Sequence, residues 1–127
     1  MRIKESAENY LETVLMLKNK NGFVRSIDVA NELGFTKASV SVAMKSLREE
    51  GYIVVATDGD ISLTDKGIQI AENMYERHTV IAKCLIKLGV SEETAYNDSC
   101  KIEHDISDES FLKIKEFLEN YEKWGCF

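Results

Sequence analysis

Gly34-Phe35-Thr36-Lys37-Ala38-Ser39-Val40-Ser41-Val42-Ala43-Met44-Lys45-Ser46-Leu47-Arg48 is the stretch whose reading decides the fold. Thr36 is a helix N-cap residue, and the helix it opens runs to Glu50. Val40, Met44 and Leu47 make its core stripe, and Thr36, Lys37, Ser39, Ser41, Lys45 and Arg48 decorate the remaining surface. Immediately upstream, residues 26–33 predict a short helix. Ser26 is its expected N-cap, and Ile27, Ala30 and Leu33 its buried positions. Gly34-Phe35 is then a tight turn, and the whole is a helix-turn-helix. The second helix of such a unit can lie in a DNA major groove. Hydroxyls and basic side chains suit phosphates, and the small Ala38 and Val42 suit thymine methyls. The candidate DNA contacts are Ser26, Thr36, Lys37, Ala38, Ser39, Ser41, Val42 and Lys45. An ordinary helical hairpin with a polar surface shares these features, so the flanking sequence has to decide.

Downstream, Tyr52-Ile53-Val54-Val55 is a β-branched run, Asp58-Gly59 is a hairpin turn signal, and Ile61-Ser62-Leu63 alternates as a return strand. A hairpin directly after a helix-turn-helix is a winged helix. Upstream, Ala7, Tyr10, Leu11, Val14 and Leu15 place one apolar face on a helix over residues 5–20. Asn9 and Glu12 lie one turn apart on another face, which by itself fits a solvated polar surface.

Thr64 caps a long helix over about residues 65–88. Ala71, Met74, His78, Ile81, Leu85 and Leu88 recur at alternating spacings of 3 and 4. That is a narrow seam suited to packing against another helix, as a dimer would need. His78 stands within it, where a satisfied core histidine is the commoner case. Cys84 lies off the seam and is assigned no role. Ser91 caps a further helix to about His104, and Ser107 opens the last, with Phe111, Ile114, Leu118 and Tyr121 as its buried stripe. Cys126 falls in a short tail where no structural role is expected.

The helix after Ser91 carries Cys100-Lys101-Ile102-Glu103-His104, which reads C-x-x-E-H. Positions i, i+3 and i+4 share one helix face, and thiolate, carboxylate and imidazole are all ligands for transition metals. The spacing alone suits a metal centre or a buried thiol beside a capped carboxylate about equally.

Composition bounds the rest. The chain has 127 residues, 44% apolar and 30% charged, as in a soluble globular protein of one core or two small subdomains. No apolar run is long enough to span a bilayer. The charged start Met1-Arg2-Ile3-Lys4-Glu5 lacks a signal-peptide core, so the expected location is cytoplasmic. Three cysteines are an odd number, favouring free thiols or metal ligands over a disulfide framework. The net charge of −6 is unevenly placed: residues 1–66 are net −1 and residues 67–127 net −5. Between Thr36 and Arg48 there is no acidic residue, so the candidate recognition helix is locally basic.

Taken together, Glu8-Asn9-Tyr10-Leu11-Glu12, Thr36 to Leu47, Gly51-Tyr52-Ile53-Val54-Val55, Leu63-Thr64-Asp65-Lys66-Gly67, Glu76-Arg77-His78 and Tyr96 to His104 give the chain a resemblance to the diphtheria toxin repressor family of metal-dependent transcriptional regulators. The resemblance covers nearly the whole chain. It implies a mainly α fold with a small β wing: a winged helix-turn-helix DNA-binding domain over residues 1–66, then an α-helical dimerisation and metal-binding domain over residues 67–127. Larger members add an SH3-like domain for which this chain is too short. The implied architecture is that of the two-domain, manganese-responsive branch. The implied partners are a palindromic double-stranded DNA operator and a second copy of the chain, with no membrane and no enzymatic activity.

The implied metal ligands are His78, Glu103 and His104, at positions shared across the family. Cys100 stands where the iron-responsive branch has cysteine and the manganese branch glutamate. Glu12 matches a ligand of the manganese branch. Asn9 stands where that branch has aspartate and the iron branch methionine, and its neutral amide makes it the weakest member of the set. Ala82 and Tyr96 stand at ancillary ligand positions of the iron branch, where neither is expected to serve. A soft thiolate favours iron(II) over manganese(II), so iron(II) is the expected co-repressor and manganese(II) the close alternative. A metal joining Glu12 to the later ligands would lock the DNA-binding part to the dimer part. Two other readings are open: a winged-helix regulator answering a small molecule or partner protein through a degenerate metal site, and a small metalloenzyme using Cys100, Glu103 and His104. No further residues in the chain mark a substrate pocket for the latter.

Overall fold

The computed structural model describes residues 5–124. Met1 to Lys4 of the charged N-terminal start and Cys126, both read above, lie outside the described residues. The chain divides into two compact units, one ending at Asn73 and the other beginning at Met74.

In the first unit α1 spans Glu5–Asn21, α2 Ser26–Leu33 and α3 Lys37–Glu49, followed by strands β1 (Ile53–Val55) and β2 (Ile61–Leu63) and the start of α4 (Asp65–Lys87). Acidic residues occupy the first turn of α1 and Lys18 and Lys20 its last, the arrangement that complements a helix dipole. Tyr10, Leu11, Val14 and Leu17 from α1 meet Val29 and Ala30 from α2, Val40, Met44 and Leu47 from α3, and Ile53 and Ile61 from the strands. Gly34 adopts φ 70° after α2, a conformation that glycine enters without a Cβ penalty. Phe35 N–H then donates to Ala30 O at 3.0 Å. Thr36 caps α3 as expected, its Oγ1 accepting from Ser39 N–H at 3.2 Å.

Two expectations for α2 are corrected. Ser26 is the first helical residue and Arg25 the N-cap. The Asp28 carboxylate reaches back to accept from Arg25 N–H at 2.9 Å, so an N3 side chain does the capping that a hydroxyl at position 26 was expected to do. Ile27, expected buried, is 36% exposed, because Val29 and Ala30 take the inward positions.

The wing is antiparallel, with Ile53 opposite Leu63, Val54 opposite Ser62 and Val55 opposite Ile61. Its root is tied to α1. Lys18 Nζ donates to both Asp60 carboxylate oxygens at 2.8 and 2.9 Å, to Ile61 O at 3.1 Å and to Ser62 Oγ at 3.2 Å. Asp60 Oδ1 also accepts from Val24 N–H at 3.0 Å. Thr64 Oγ1 donates to Gly51 O at 2.7 Å and accepts from Gly67 N–H at 3.2 Å, capping α4.

In the second unit α4 continues from Met74 and is followed by α5 (Glu92–Asp105) and α6 (Asp108–Trp124). Ser91 Oγ accepts from Thr94 N–H at 3.4 Å and Ser107 Oγ from Ser110 N–H at 3.1 Å, so both expected caps are in place. Met74, Ile81, Ala82, Ala95, Phe111 and Leu118 are the buried apolar residues of this unit. The seam of α4 stops short of Leu88, which is 79% exposed because the helix ends at Lys87.

A Cβ at Gly67 would stand 2.1 Å from the Tyr52 carbonyl oxygen. Gly67→Ala therefore has to push the start of α4 away from the strand. The expected loss is about 1–3 kcal/mol, read as a lower urea midpoint at unchanged m value; an unchanged midpoint would show that the two backbones separate freely. The wing clamp gives a pH signature. Hydrogen bonds from Lys18 and then Val24 hold the Asp60 carboxyl below its ordinary value of 3.8. Its stabilisation is present above that ordinary value and is lost as pH falls through the depressed one. The stability gap between the wild type and Lys18→Met should therefore shrink as pH drops below 3.8, measured by thermal melting across the acid range.

Candidate metal centre and nucleic-acid interface

Helix α3 has two faces. Val40, Met44 and Leu47 are buried, while Lys37, Ala38, Ser39, Ser41, Val42, Lys45 and Arg48 are exposed. Val42 is 71% exposed, an apolar side chain in water between basic and hydroxyl neighbours. Thr36 is exposed too, but its hydroxyl is engaged locally, donating to Ser39 Oγ at 2.9 Å. Ser26 is half-buried at the first turn of α2. The surface is thus a locally basic strip with small apolar groups, able to meet phosphates and the apolar edge of a groove.

In the second unit Cys100 and Glu103 of the C-x-x-E-H stretch come together with His78. Three side chains converge on His78 Nδ1: Ser99 Oγ at 3.0 Å, Glu103 Oε2 at 3.1 Å and Cys100 Sγ at 3.6 Å. Ser99 Oγ donates its proton to Tyr96 O at 2.9 Å, so it faces His78 as an acceptor. This arrangement suits the form of His78 that carries a proton on Nδ1. Hydrogen bonding to Cys100, then to Glu103, pushes the imidazole pKa from 6.5 up to about 10, against the effect of burial. His104 Nε2 lies 3.4 Å from Glu103 Oε1, and the Glu103 side chain has no exposed surface. The Tyr96 ring leans on His78 with centroids 5.4 Å apart.

The donor set fits a divalent transition metal. Two ligand atoms about 2.1 Å from one ion stand roughly 3.0–3.4 Å apart, and a sulfur slightly farther. Glu103 Oε2 and Cys100 Sγ, 3.1 and 3.6 Å from His78 Nδ1, each match as a pair with that nitrogen. A buried carboxylate flanked by two imidazoles, one of them beside a thiol, also gains from a bound cation. Nitrogen, oxygen and sulfur donors in this mixture suit iron, cobalt or zinc.

Of the other expected ligands, Glu12 is buried on α1, together with Glu8 one turn earlier, and Asn9 is half-buried between them. Ala82 is fully buried and brings no ligand atom. Cys84 is half-buried, and burial, then the Glu122 charge, raise its thiol pKa, which keeps it neutral. It lines an apolar groove of about 520 Å³ with Ile81, Leu85, Leu88, Ile114 and Phe117.

Sequence reasoning missed two residues here. Ser99 is fully buried and faces His78; nothing in its neighbourhood marks it. Arg77 is 2% exposed, and its Nη1 donates to Glu103 O at 3.1 Å and Ile106 O at 2.9 Å. A signal for Arg77 exists: it stands three residues after Met74 and four before Ile81, on the apolar side of α4.

The family model described as the iron dependent repressor N-terminal DNA binding domain matches residues 2–61. The iron dependent repressor metal binding and dimerisation domain matches residues 64–124. An uncharacterised HTH-type transcriptional regulator of Methanocaldococcus jannaschii is 33% identical over 121 residues, 94% of this chain and 97% of its own. The HTH-type transcriptional regulator MntR of Bacillus subtilis is 31% identical over 118 residues, 93% and 83% of the two chains. Among solved structures, a manganese-dependent transcriptional repressor in complex with manganese has a TM-score of 0.82 at 24% identity, covering 89% of this chain and 52% of its own. This chain thus spans about half the length of that repressor. A hypothetical protein of Sulfolobus solfataricus has a TM-score of 0.67 at 21% identity, covering 91% and 89%. With both domain models matched in order and relatives of this identity along nearly its full length, the chain belongs to the iron-dependent repressor family of metal-dependent, DNA-binding transcriptional regulators.

Proposed function

We propose that this chain is a metal-activated repressor of metal-ion homeostasis genes, acting in the cytoplasm, with iron(II) as its co-repressor. The observation that carries this is the convergence of Glu103 Oε2 and Cys100 Sγ on His78 Nδ1. A thiol among the donors favours iron(II) over the harder manganese(II). Manganese(II) is the second reading, supported by the relatives named MntR. His78, Cys100, Glu103 and His104 would hold the ion, and Glu12 joins them on the sequence resemblance, with Asn9 as the weakest donor. A bound ion would supply positive charge where the Glu103 carboxylate now meets His78.

In this reading residues 1–66 bind DNA and residues 67–127 hold the metal and the dimer contacts. Lys37, Lys45 and the hydroxyls of Thr36, Ser39 and Ser41 face phosphates, Ala38 and Val42 face base edges, and Ser26 marks the rim of that surface. The apolar groove between α4 and α6, with Leu88 and Phe117 79% and 66% exposed, is the face offered to a second copy. A coupling of about 1–3 kcal/mol between metal and DNA suffices for a regulator of this kind. Nothing in this arrangement calls for bond-making chemistry, so the reading is of a binding protein rather than a catalyst.

The test is an anaerobic cobalt(II) titration of the reduced protein beside Cys100→Ala, followed by selection of duplex DNA from a random pool with and without iron(II) or manganese(II). The expected result is a saturating sulfur-to-cobalt absorption band that Cys100→Ala abolishes, and a palindrome retained only with metal. Binding without that band would move the assignment to manganese(II), and equal DNA retention without metal would end the co-repressor reading. On the selected duplex, Lys45→Ala should weaken binding about equally across sequences and lower the salt slope by about 1; a sequence-specific loss would place Lys45 on a base instead.

A further inference from the structure

Arg77 and His78 are adjacent on α4, and both hold the same residue of α5. His78 meets the Glu103 carboxylate at 3.1 Å, and Arg77 donates to the Glu103 backbone oxygen at 3.1 Å. The second bond from Arg77 Nη1, at 2.9 Å, goes to Ile106 O, the residue that closes α5. The other nitrogen, Nη2, pairs with the carboxylate of Asp108, in the first turn of α6. The guanidinium also lies 5.3 Å from the centroid of the Phe111 ring. One buried cation therefore satisfies carbonyls at the end of α5, where positive charge is favoured, and anchors an acid at the start of α6, where negative charge is favoured.

We infer that Arg77 is a positioning residue of the metal centre, setting the separation of α4 and α5 at the donor cluster and so holding Glu103 opposite His78 before metal arrives. Arg77 offers the metal no lone pair and reaches the ligand-bearing helix through its backbone carbonyls, with Asp108 of α6 holding the other end of the guanidinium. The geometry separates this role from generic core packing, because one of the two carbonyls it holds belongs to Glu103, the residue whose carboxylate meets His78. The inference rests on the metal-binding reading above.

Its test compares wild type, Arg77→Met, Arg77→Lys and Leu118→Ala by circular dichroism, thermal melting and anaerobic cobalt(II) titration with the absorption spectrum recorded. Arg77→Met should keep the helical spectrum yet bind cobalt(II) about 10- to 100-fold more weakly, as losses of outer partners do, with altered ligand-field bands. Arg77→Lys, which keeps the charge and part of the donation, should recover some of the affinity. Leu118→Ala, a change at a buried apolar residue of the same unit, should melt lower with unchanged cobalt affinity. Should Arg77→Met fail to fold, Arg77→Lys decides, since a folded variant with wild-type affinity and spectrum would overturn the inference. Equal affinity losses in Leu118→Ala and Arg77→Met would also overturn it, by reducing Arg77 to stability. Wild-type protein that binds no cobalt(II) would overturn the metal reading itself, and with it this one. Wild-type binding with an unaffected Arg77→Met would overturn only the role of Arg77.

Discussion

A carboxylate with no exposed surface needs positive charge or donors at close range, and Glu103 is such a group. Its two oxygens face His78 and His104, and its backbone oxygen faces Arg77. Three cationic or potentially cationic groups are thereby drawn to one residue of α5. Cys100, one turn earlier on the same helix, arrives beside His78 as a consequence. The packing of α4 with α5 and the start of α6 brings those partners to that carboxylate and to the carbonyls behind it. A cation bound among these donors would complete the same electrostatic demand.

The first unit solves a different problem. It has to hold a helix rigidly by one face while leaving the other face free. Val40, Met44 and Leu47 meet the core residues of α1, α2 and the wing, which leaves Lys37, Ser41, Val42 and Lys45 in water. The wing, with strands of three residues each, is too short to stand alone. Lys18 supplies the missing support by bonding Asp60, Ile61 and Ser62 at once. Its partners make this more than a surface ion pair, since two of them belong to the returning strand.

In the proposed site the choice between iron(II) and manganese(II) would turn on a single side chain. An oxygen and nitrogen set such as His78, Glu103 and His104 would serve manganese(II) well. Cys100 would add a soft donor. The relatives named for manganese and the thiol in this chain therefore pull in opposite directions. The chemistry of that atom, rather than the shape of the fold, separates them.

Most element boundaries were legible because capping is local. Thr36, Thr64, Ser91 and Ser107 each bond a backbone N–H three residues on, an interaction contained in four residues of sequence. Where the cap was misread, at Ser26, the true donor-acceptor pair is also local, but it runs from a side chain backward instead of forward. Ile27 and Leu88 were misplaced because periodicity marks a face without saying what covers it. The C-x-x-E-H grouping was legible for the same local reason, since i, i+3 and i+4 must share a helix face. By itself, then, the sequence determined the helices, the wing and the clustering of Cys100, Glu103 and His104. Only the tertiary structure decided that Ser99 and Arg77 belong with them. The bonds that carry Ser99 to His78 and Arg77 to α5 and α6 cross 21 to 31 positions of chain, and such partners are chosen by the packing of helices, which no local spacing records.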